Sequence, residues 1–297
     1  MMYIVDPKAV SLVKIAELGS FTKAAEELCI TQPAISQHIK LLEEEFGVKL
    51  FERLHNEVQL TPAGKIAVKY ISKMISISNN MEKRIKDQES NITSITVGIT
   101  HTVESTSIVE ALANYAKSHE GLTFKIISNS SDILYRMLKN DELDFLIVEG
   151  KSDSNEFKYS MLGTDCLVLI TSPDHPLASN TTVTINELKN ESLILRLPNS
   201  NTRNMFQNAL RKQNVVIEEF NTILEIDNIA TIKDLVRRDI GVSVLSKSAC
   251  LDEIKKGKLA VLTIENLSMV REINIVYSDK FEYPEIIKGV TQRFNGM

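Results

Sequence analysis

The sequence predicts an α/β multidomain chain: a small helical front end closed by a hairpin, one long helix, and then two α/β lobes with a cleft between them. Three observations predict it. Short helical stretches with apolar residues at spacings of three and four fill the first fifty residues. An amphipathic run without a breaker after Gly64 extends from Thr61-Pro62 to about Gln88. From about Ile92 strand-like and helix-like segments alternate to the end, which is the pattern of parallel sheets covered by helices.

In the front end, residues 7 to 18 (PKAVSLVKIAEL) read as a helix that stops at Gly19-Ser20. Ser20 can cap a second helix, FTKAAEEL, whose Phe21, Ala24, Ala25 and Leu28 form an apolar face. After the turn Cys29-Ile30-Thr31 comes TQPAISQHIKLLE, with Thr31 as N-cap and Pro33 at the second helical position. Ile35, Ile39 and Leu42 make its buried stripe, and the other face carries Gln32, Ser36, Gln37 and Lys40. Small alanines where two short helices cross give the helix-turn-helix pattern. VKLFERLHNEVQLT then alternates around a polar turn at 55 to 57, a hairpin or wing.

Thr61-Pro62 opens the long helix, in which Ala67, Ile71, Met74, Ser78, Met81 and Ile85 fall at alternating spacings of four and three. That is a coiled-coil seam of about three heptads, and it predicts self-association. Beyond it, SITVGIT, a helix at 103 to 118, LTFKIIS, a helix at 131 to 140 and DFLIVEG make a βαβαβ unit. YSMLGTDCLVLITS crosses into a second unit of SLILRL, a helix at 202 to 213, NTILEI, a helix at 228 to 238 and IGVSVLS. REINIVYS and the helix YPEIIKGVTQRF close the chain. Two lobes joined by crossing strands place a ligand cleft between them.

Composition bounds what this architecture can do. At 297 residues with 43% hydrophobic content the chain suits two or three domains of ordinary globular protein. It has no apolar run long enough for a membrane span, so no membrane partner is predicted. MMYIVDPKAV lacks a basic n-region followed by an apolar stretch, so a cytoplasmic location is expected. Cys29, Cys166 and Cys250 lie far apart and the five histidines are scattered, which predicts no metal site, no disulfide framework and no cofactor. The net charge is −5, and residues 1 to 60 hold six Lys/Arg against nine Asp/Glu. Any nucleic-acid binding must therefore rest on how groups are placed rather than on a basic surplus.

GSFTKAAEELCITQPAISQHIKLLEEEFGVKLFERLHNEVQLTPAGK, residues 19 to 65, closely resembles the N-terminal domain of LysR-type transcriptional regulators. The resemblance continues more loosely to the end of the chain. It implies a winged helix-turn-helix DNA-binding domain at 1–61, a linker and dimerisation helix at 62–90, and an effector-binding domain at 91–297. That domain would be two-lobed and periplasmic-binding-protein-like, with lobe I at about 91–162 and 267–297 and lobe II at about 163–266. It also implies a dimer or tetramer, a dimer of dimers on a pseudo-palindromic operator in double-stranded DNA, a small metabolite effector, and contact with RNA polymerase.

The residue reading and the resemblance meet on the third helix. Gln can hydrogen-bond an adenine edge bidentately, and Ser and Lys serve bases or phosphates. Gln32, Ser36, Gln37 and Lys40 are the expected DNA contacts, with Ser20 and Thr22 against the backbone and Pro33 permitting close approach. Arg53 is the expected phosphate contact in the wing, where the family's extra arginine is replaced by His55-Asn56-Glu57. In the cleft, strand-to-helix junctions present N–H groups suited to an anion. The first holds Thr100, His101 and Thr102, and the second Ser200, Thr202 and Arg203. Asn129, Glu149 and Asn228 are further candidates, each equally readable as a cap or a structural residue. A hydroxyl-lined site of this kind suits a carboxylate or a sulfate-like oxyanion.

Two other functions fit the architecture: a two-lobed small-molecule-binding protein with no DNA role, and a regulator that senses oxidants through cysteine. Cys166 and Cys250 have no neighbouring basic cluster in the sequence to lower a thiol pKa, which favours buried, inert cysteines. GxSxG, HExxH and Walker motifs are all missing, so enzymatic activity is not expected.

Overall fold

The computed structural model describes residues 5–54, 57–152 and 156–296. It divides into two compact units, residues 1–92 with 140–142 and residues 93–139 with 143–297. The first unit opens with α1 (Pro7–Leu18), α2 (Phe21–Glu27) and α3 (Gln32–Phe46). Asp6, Ser20 and Thr31 cap their N-termini through side-chain oxygens, and Gly19 and Gly47 end α1 and α3 in the left-handed region. Leu12 and Ile15 of α1, Ala24 and Ala25 of α2, and Ile35, Ile39 and Leu42 of α3 form one core. The hairpin β1 (Phe51–Leu54) and β2 (Glu57–Leu60) follows, Arg53 pairing with Val58.

The long helix α4 (Pro62–Ser90) is capped by Thr61, whose hydroxyl accepts from Gly64 N. Gly64 is where α4 touches the hairpin: a Cβ there would lie 2.0 Å from the carbonyl oxygen of Leu50. Ala67 and Ile71 turn inward to the core of the three helices and Ser78 is buried, while Met74, Met81 and Ile85 of the predicted seam are exposed. The outward apolar stripe is Ile66, Tyr70, Met74, Ile77, Met81 and Ile85, shifted round the helix because its first turns must also cover their own domain.

The second unit is one mixed sheet in two halves. β3 (Thr93–Ile99) is followed by the single turn α5 (His101–Glu104) and by α6 (Ile108–Lys117), where one helix at 103 to 118 was expected. β4 (Leu122–Ser128), α7 (Ser131–Lys139) and β5 (Phe145–Glu149) complete the first lobe's parallel layer. β6 (Lys158–Thr171) then crosses over. The second lobe contains β7 (Thr182–Val183), α8 (Ile185–Lys189), β8 (Leu193–Leu195), α9 (Asn201–Arg211), β9 (Thr222–Glu225), α10 (Ile229–Arg237), β10 (Val242–Ser246), α11 (Leu251–Lys255) and β11 (Ala260–Ile264). The chain returns through β12 (Val270–Tyr277) and ends in α12 (Pro284–Asn295).

Alternation along the strands explains the layers. On β5, Phe145 and Ile147 face the core shared with α6 and α12, while Leu146 and Val148 face α7. On β6, Leu167 and Leu169 join the α9 side of the second lobe, and Val168 and Ile170 the α10 side. Strands buried on both faces read as continuous apolar runs, which is why they were legible. β6 changes partner between Cys166 and Leu167: residues 158–166 pair with β12, and Leu167–Thr171 pair with β10 and β11. β6 and β12 are thus the two strands that pass between the lobes.

Two stability predictions come from the first unit. Gly64→Ala forces a Cβ into the Leu50 backbone and should cost about 1–3 kcal/mol in urea unfolding, the ordinary range for overpacking. Glu43 pins α3 to the hairpin, its Oε1 accepting from Leu50 N at 2.8 Å and its Oε2 from Lys49 Nζ at 2.6 Å. Burial works to raise its pKa, but the Lys49 ammonium and two backbone N–H groups more than offset this and hold it below the ordinary value of 4.5. A depressed carboxylate stabilises fully above its unfolded pKa and loses that contribution as pH falls through the folded one. Glu43→Gln should therefore cost about 1.5–3 kcal/mol at neutral pH, the range for hydrogen bonds to a charged group. The gap to wild type should close as pH falls below 4.5, measured by denaturant melts across pH.

Candidate nucleic-acid interface and ligand cleft

On the first unit, Ser20 and Thr22 from α2 and Gln32, Ser36 and Lys40 from α3 line one open groove, with Lys49, Phe51 and Glu52 from the hairpin side. Gln32 Nε2 donates to Ser36 Oγ at 3.2 Å, which aligns two polar groups one turn apart on an exposed face. Lys40 Nζ lies 3.7 Å from Glu44 Oε1, both well exposed, a screened pair that yields readily to a phosphate. Ser20 Oγ accepts from Lys23 N at 3.3 Å, so it serves as the cap while its hydroxyl proton stays available. Gln37 and Pro33 are exposed on α3 but do not line this groove. The side chain of Arg53 and the turn at 55 to 56 lie outside the described residues. His38 belongs to the packing: its Nδ1 is 2.8 Å from Ser11 Oγ on α1.

In the second unit a cavity of about 160 Å³ opens at the carboxyl ends of the parallel strands of both lobes. Thr100, His101 and Thr102 after β3, Asn129 to Ser131 after β4, and Glu149 at the end of β5 line it from the first lobe. Arg196 and Asn199 to Asn201 after β8, and Asp227 after β9, line it from the second. Thr100 Oγ1 donates to Glu149 Oε2 at 2.8 Å and accepts from Val103 N at 3.2 Å, so one hydroxyl both caps and anchors. Asn201 Nδ2 donates to Ser131 Oγ at 2.7 Å, and Thr102 Oγ1 lies 3.3 Å from Thr202 Oγ1, so the rims of the two lobes are hydrogen-bonded together.

Charge in this cavity differs from the sequence expectation. Arg203 does not line it. The side chain of Arg203 is buried, with Nη2 3.0 Å from Glu225 Oε1. The guanidinium on the wall is Arg196, 2% exposed, with Nη2 2.8 Å from Asp227 Oδ1. Nε and Nη1 of Arg196 have no hydrogen-bond partner within the protein. Thr202 is buried and does not line the cavity, and Asn228 caps α10 through Thr231 N while its neighbour Asp227 supplies the wall. Arg196 was hidden because it continues the apolar run LILRL, where charge reads as a strand end. Ser130 and Ser131 were legible from the same junction rule that selected Asn129, and Asp227 lay one position before the residue chosen.

Behind the wall, Arg271 Nη2 sits 3.5 Å from Glu149 Oε1 and 3.3 Å from Asp165 Oδ2, with all three side chains buried. Asp165 also accepts from Ser246 Oγ at 2.6 Å and Ser248 N at 3.2 Å. The thiols offer no counterpart. Burial, then the Asp165 carboxylate, raises the pKa of Cys166, and burial pushes that of Cys250 up to about 12. Both shifts deplete the thiolate that oxidants attack. Among the described residues no group of three or more His, Cys, Asp or Glu could hold a metal ion, and no helix is long and apolar enough to cross a membrane.

Comparison with known proteins agrees with this architecture. The model of the bacterial regulatory helix-turn-helix protein, lysR family, matches residues 9–65, and that of the LysR substrate binding domain matches residues 88–288. The HTH-type transcriptional activator CmpR of Synechocystis sp. is 31% identical over 89% of this chain and 86% of its own. An uncharacterised HTH-type transcriptional regulator of Methanocaldococcus jannaschii is 28% identical over 96% of this chain and 97% of its own. The crystal structure of full-length CbnR complexed with its target DNA shares the fold, with a TM-score of 0.67 at 16% identity over 97% of this chain and 98% of that one. With a helix-turn-helix in front and a two-lobed α/β cleft behind, the chain belongs to the LysR family of transcriptional regulators.

Proposed function

We propose that this regulator reads a pseudo-palindromic operator as a dimer of dimers, and that a small anionic metabolite in the cleft between its lobes sets how it does so. The observation that carries the effector reading is Arg196, a buried guanidinium on the cavity wall with two nitrogens lacking a protein partner. Buried donors without partners are costly; Arg203 and Arg271 share this feature, and Arg196 is set apart by belonging to the cavity lining. Thr100, Ser200 and Asn129 supply neutral hydrogen-bonding groups around it, with Glu149 and His101 on the same wall. A volume well under the several hundred Å³ of a drug-sized pocket suits a small metabolite.

The DNA reading rests on the groove beneath α3. Gln32 and Ser36 face the bases, while Lys40, Ser20 and Thr22 face the phosphates. Pro33 and Gln37 are further contacts on the same helix outside the groove, and Arg53, whose side chain lies outside the described residues, is the phosphate contact expected from the sequence. Self-association rests on the exposed stripe of α4, from Ile66 to Ile85, which is too long and too apolar to leave in water on a stable monomer. Effector binding shifts the population of lobe arrangements by its difference in affinity between them, and so alters operator geometry and contact with RNA polymerase in the cytoplasm. The alternative of cysteine-based sensing has no support in thiols whose pKa is raised.

Two experiments test this. Gln32→Ala with Lys40→Ala should weaken binding to a duplex selected by the wild-type protein by about tenfold to a thousandfold. The slope of log affinity against log salt should become shallower by about one, read by fluorescence anisotropy. Unchanged affinity and slope would remove the α3 face from the interface. Met74→Glu with Ile77→Glu should lower the oligomeric state in sedimentation velocity, and an unaltered assembly would place self-association elsewhere.

A further inference from the structure

We infer that the cleft ligand is zwitterionic, a small amino acid or close relative whose carboxylate meets Arg196 and whose ammonium meets Asp227. This deepens the effector reading above and rests on it. The sequence suggested hydroxyls and helix ends, which a bare oxyanion such as sulfate would satisfy. The sequence also offered Glu149, and the structure adds a second carboxylate, Asp227, to the cavity lining. Asp227 turns Oδ1 toward Arg196 Nη2 at 2.8 Å and Oδ2 toward His101 Nε2 at 3.8 Å, and its side chain is half exposed. Glu149 lines the cavity with Oε2 accepting from Thr100.

The surrounding charges do not cancel these. Arg271, behind Glu149, is shared with Asp165. Glu104 Oε2 lies 3.7 Å from His101 Nδ1. Glu149, Asp165 and Asp227 thus face two guanidiniums, Arg196 and Arg271, an excess of one negative charge to which Glu104 adds. A ligand carrying only negative charge would be drawn to Arg196 but would enter beside two carboxylates. A ligand with an ammonium a few bonds from its carboxylate satisfies both signs at once, and the small cavity limits how far apart those groups can be.

The test is a thermal-shift titration of the full chain with L-amino acids, each paired with its 2-hydroxy and deaminated acid, and with sulfate and phosphate as bare anions. At least one amino acid should raise Tm and bind about tenfold or more tightly than its deaminated partner. Asp227→Asn keeps a carbonyl acceptor for Arg196 and should narrow that preference, while Arg196→Gln should abolish the shift. The paired-ligand comparison on the wild type needs no variant, so it stands even if a substitution unfolds the lobe. If no amino acid shifts Tm, or if deaminated acids or sulfate bind equally well, the zwitterion inference is overturned. The anion reading beneath it is decided separately. It survives if those anions bind and lose their effect in Arg196→Gln, and falls if no probe binds or if that variant binds as before.

Discussion

The second unit depends on one buried guanidinium. Arg271, at the start of β12, is held between Asp165 on β6 and Glu149 at the end of β5, and Asp165 in turn takes the hydroxyl of Ser246 and the backbone N–H of Ser248. The strands that pass between the lobes, the sheet of the first lobe and the end of β10 in the second are therefore fastened at one point. Removing one member would leave a buried charge unmatched, a loss of about 3–5 kcal/mol for such pairs. The same junction reaches the cleft, because Glu149 turns its other oxygen to Thr100 on the cavity wall. Thr100, and Asn201 with Nδ2 at 3.5 Å, both hydrogen-bond a carboxylate that also holds Arg271. The cavity wall and the junction of the crossing strands thus share the Glu149 carboxylate, and on the proposed reading no longer path is needed to connect them.

The architecture was legible because its layers follow from side-chain alternation. β5 and β10 are buried on both faces and read as unbroken apolar runs, and the caps Thr31, Thr61 and Ser200 sit one residue before the helices they start. Short elements such as α8, α11 and β11 were not foreseen, since five residues carry too little periodicity to separate from a loop. The first turns of the α4 seam differ from expectation for another reason. The sequence shows which residues are apolar but not which neighbour claims them, and the three-helix core takes Ala67 and Ile71 before any partner helix can.

Polar sites were legible by position and not by charge. Thr100, His101, Thr102, Asn129, Glu149 and Ser200 all reach the cavity, because strand ends before helices converge there in any such lobe. Which arginine faces inward is a matter of helix phase and strand register. Arg203, at the third position of α9, points toward Glu225, while Arg196 continues the line of β8 into the cleft. Spacing rules cannot separate these two without knowing that β9 runs beside β8 and brings Glu225 with it.

The acidic balance of the first unit bears on how such a protein can regulate. Lys40 and Lys49 share their groove with Glu43 and Glu52, and Lys49 is committed to Glu43 at 2.6 Å. Among the described residues lining this groove, Lys40 is thus the lysine left to meet phosphate, so on the proposed reading counterion release there contributes little. On the proposed reading, occupancy comes from several subunits seated together, where each added contact is intramolecular and its strength depends on whether the spacing fits. Weak individual grip is then what makes geometry decisive. A protein that held DNA strongly through each subunit would stay bound whatever its arrangement, whereas one that needs its reading helices correctly spaced would, on the proposed reading, turn a small change in subunit arrangement into a large change in occupancy.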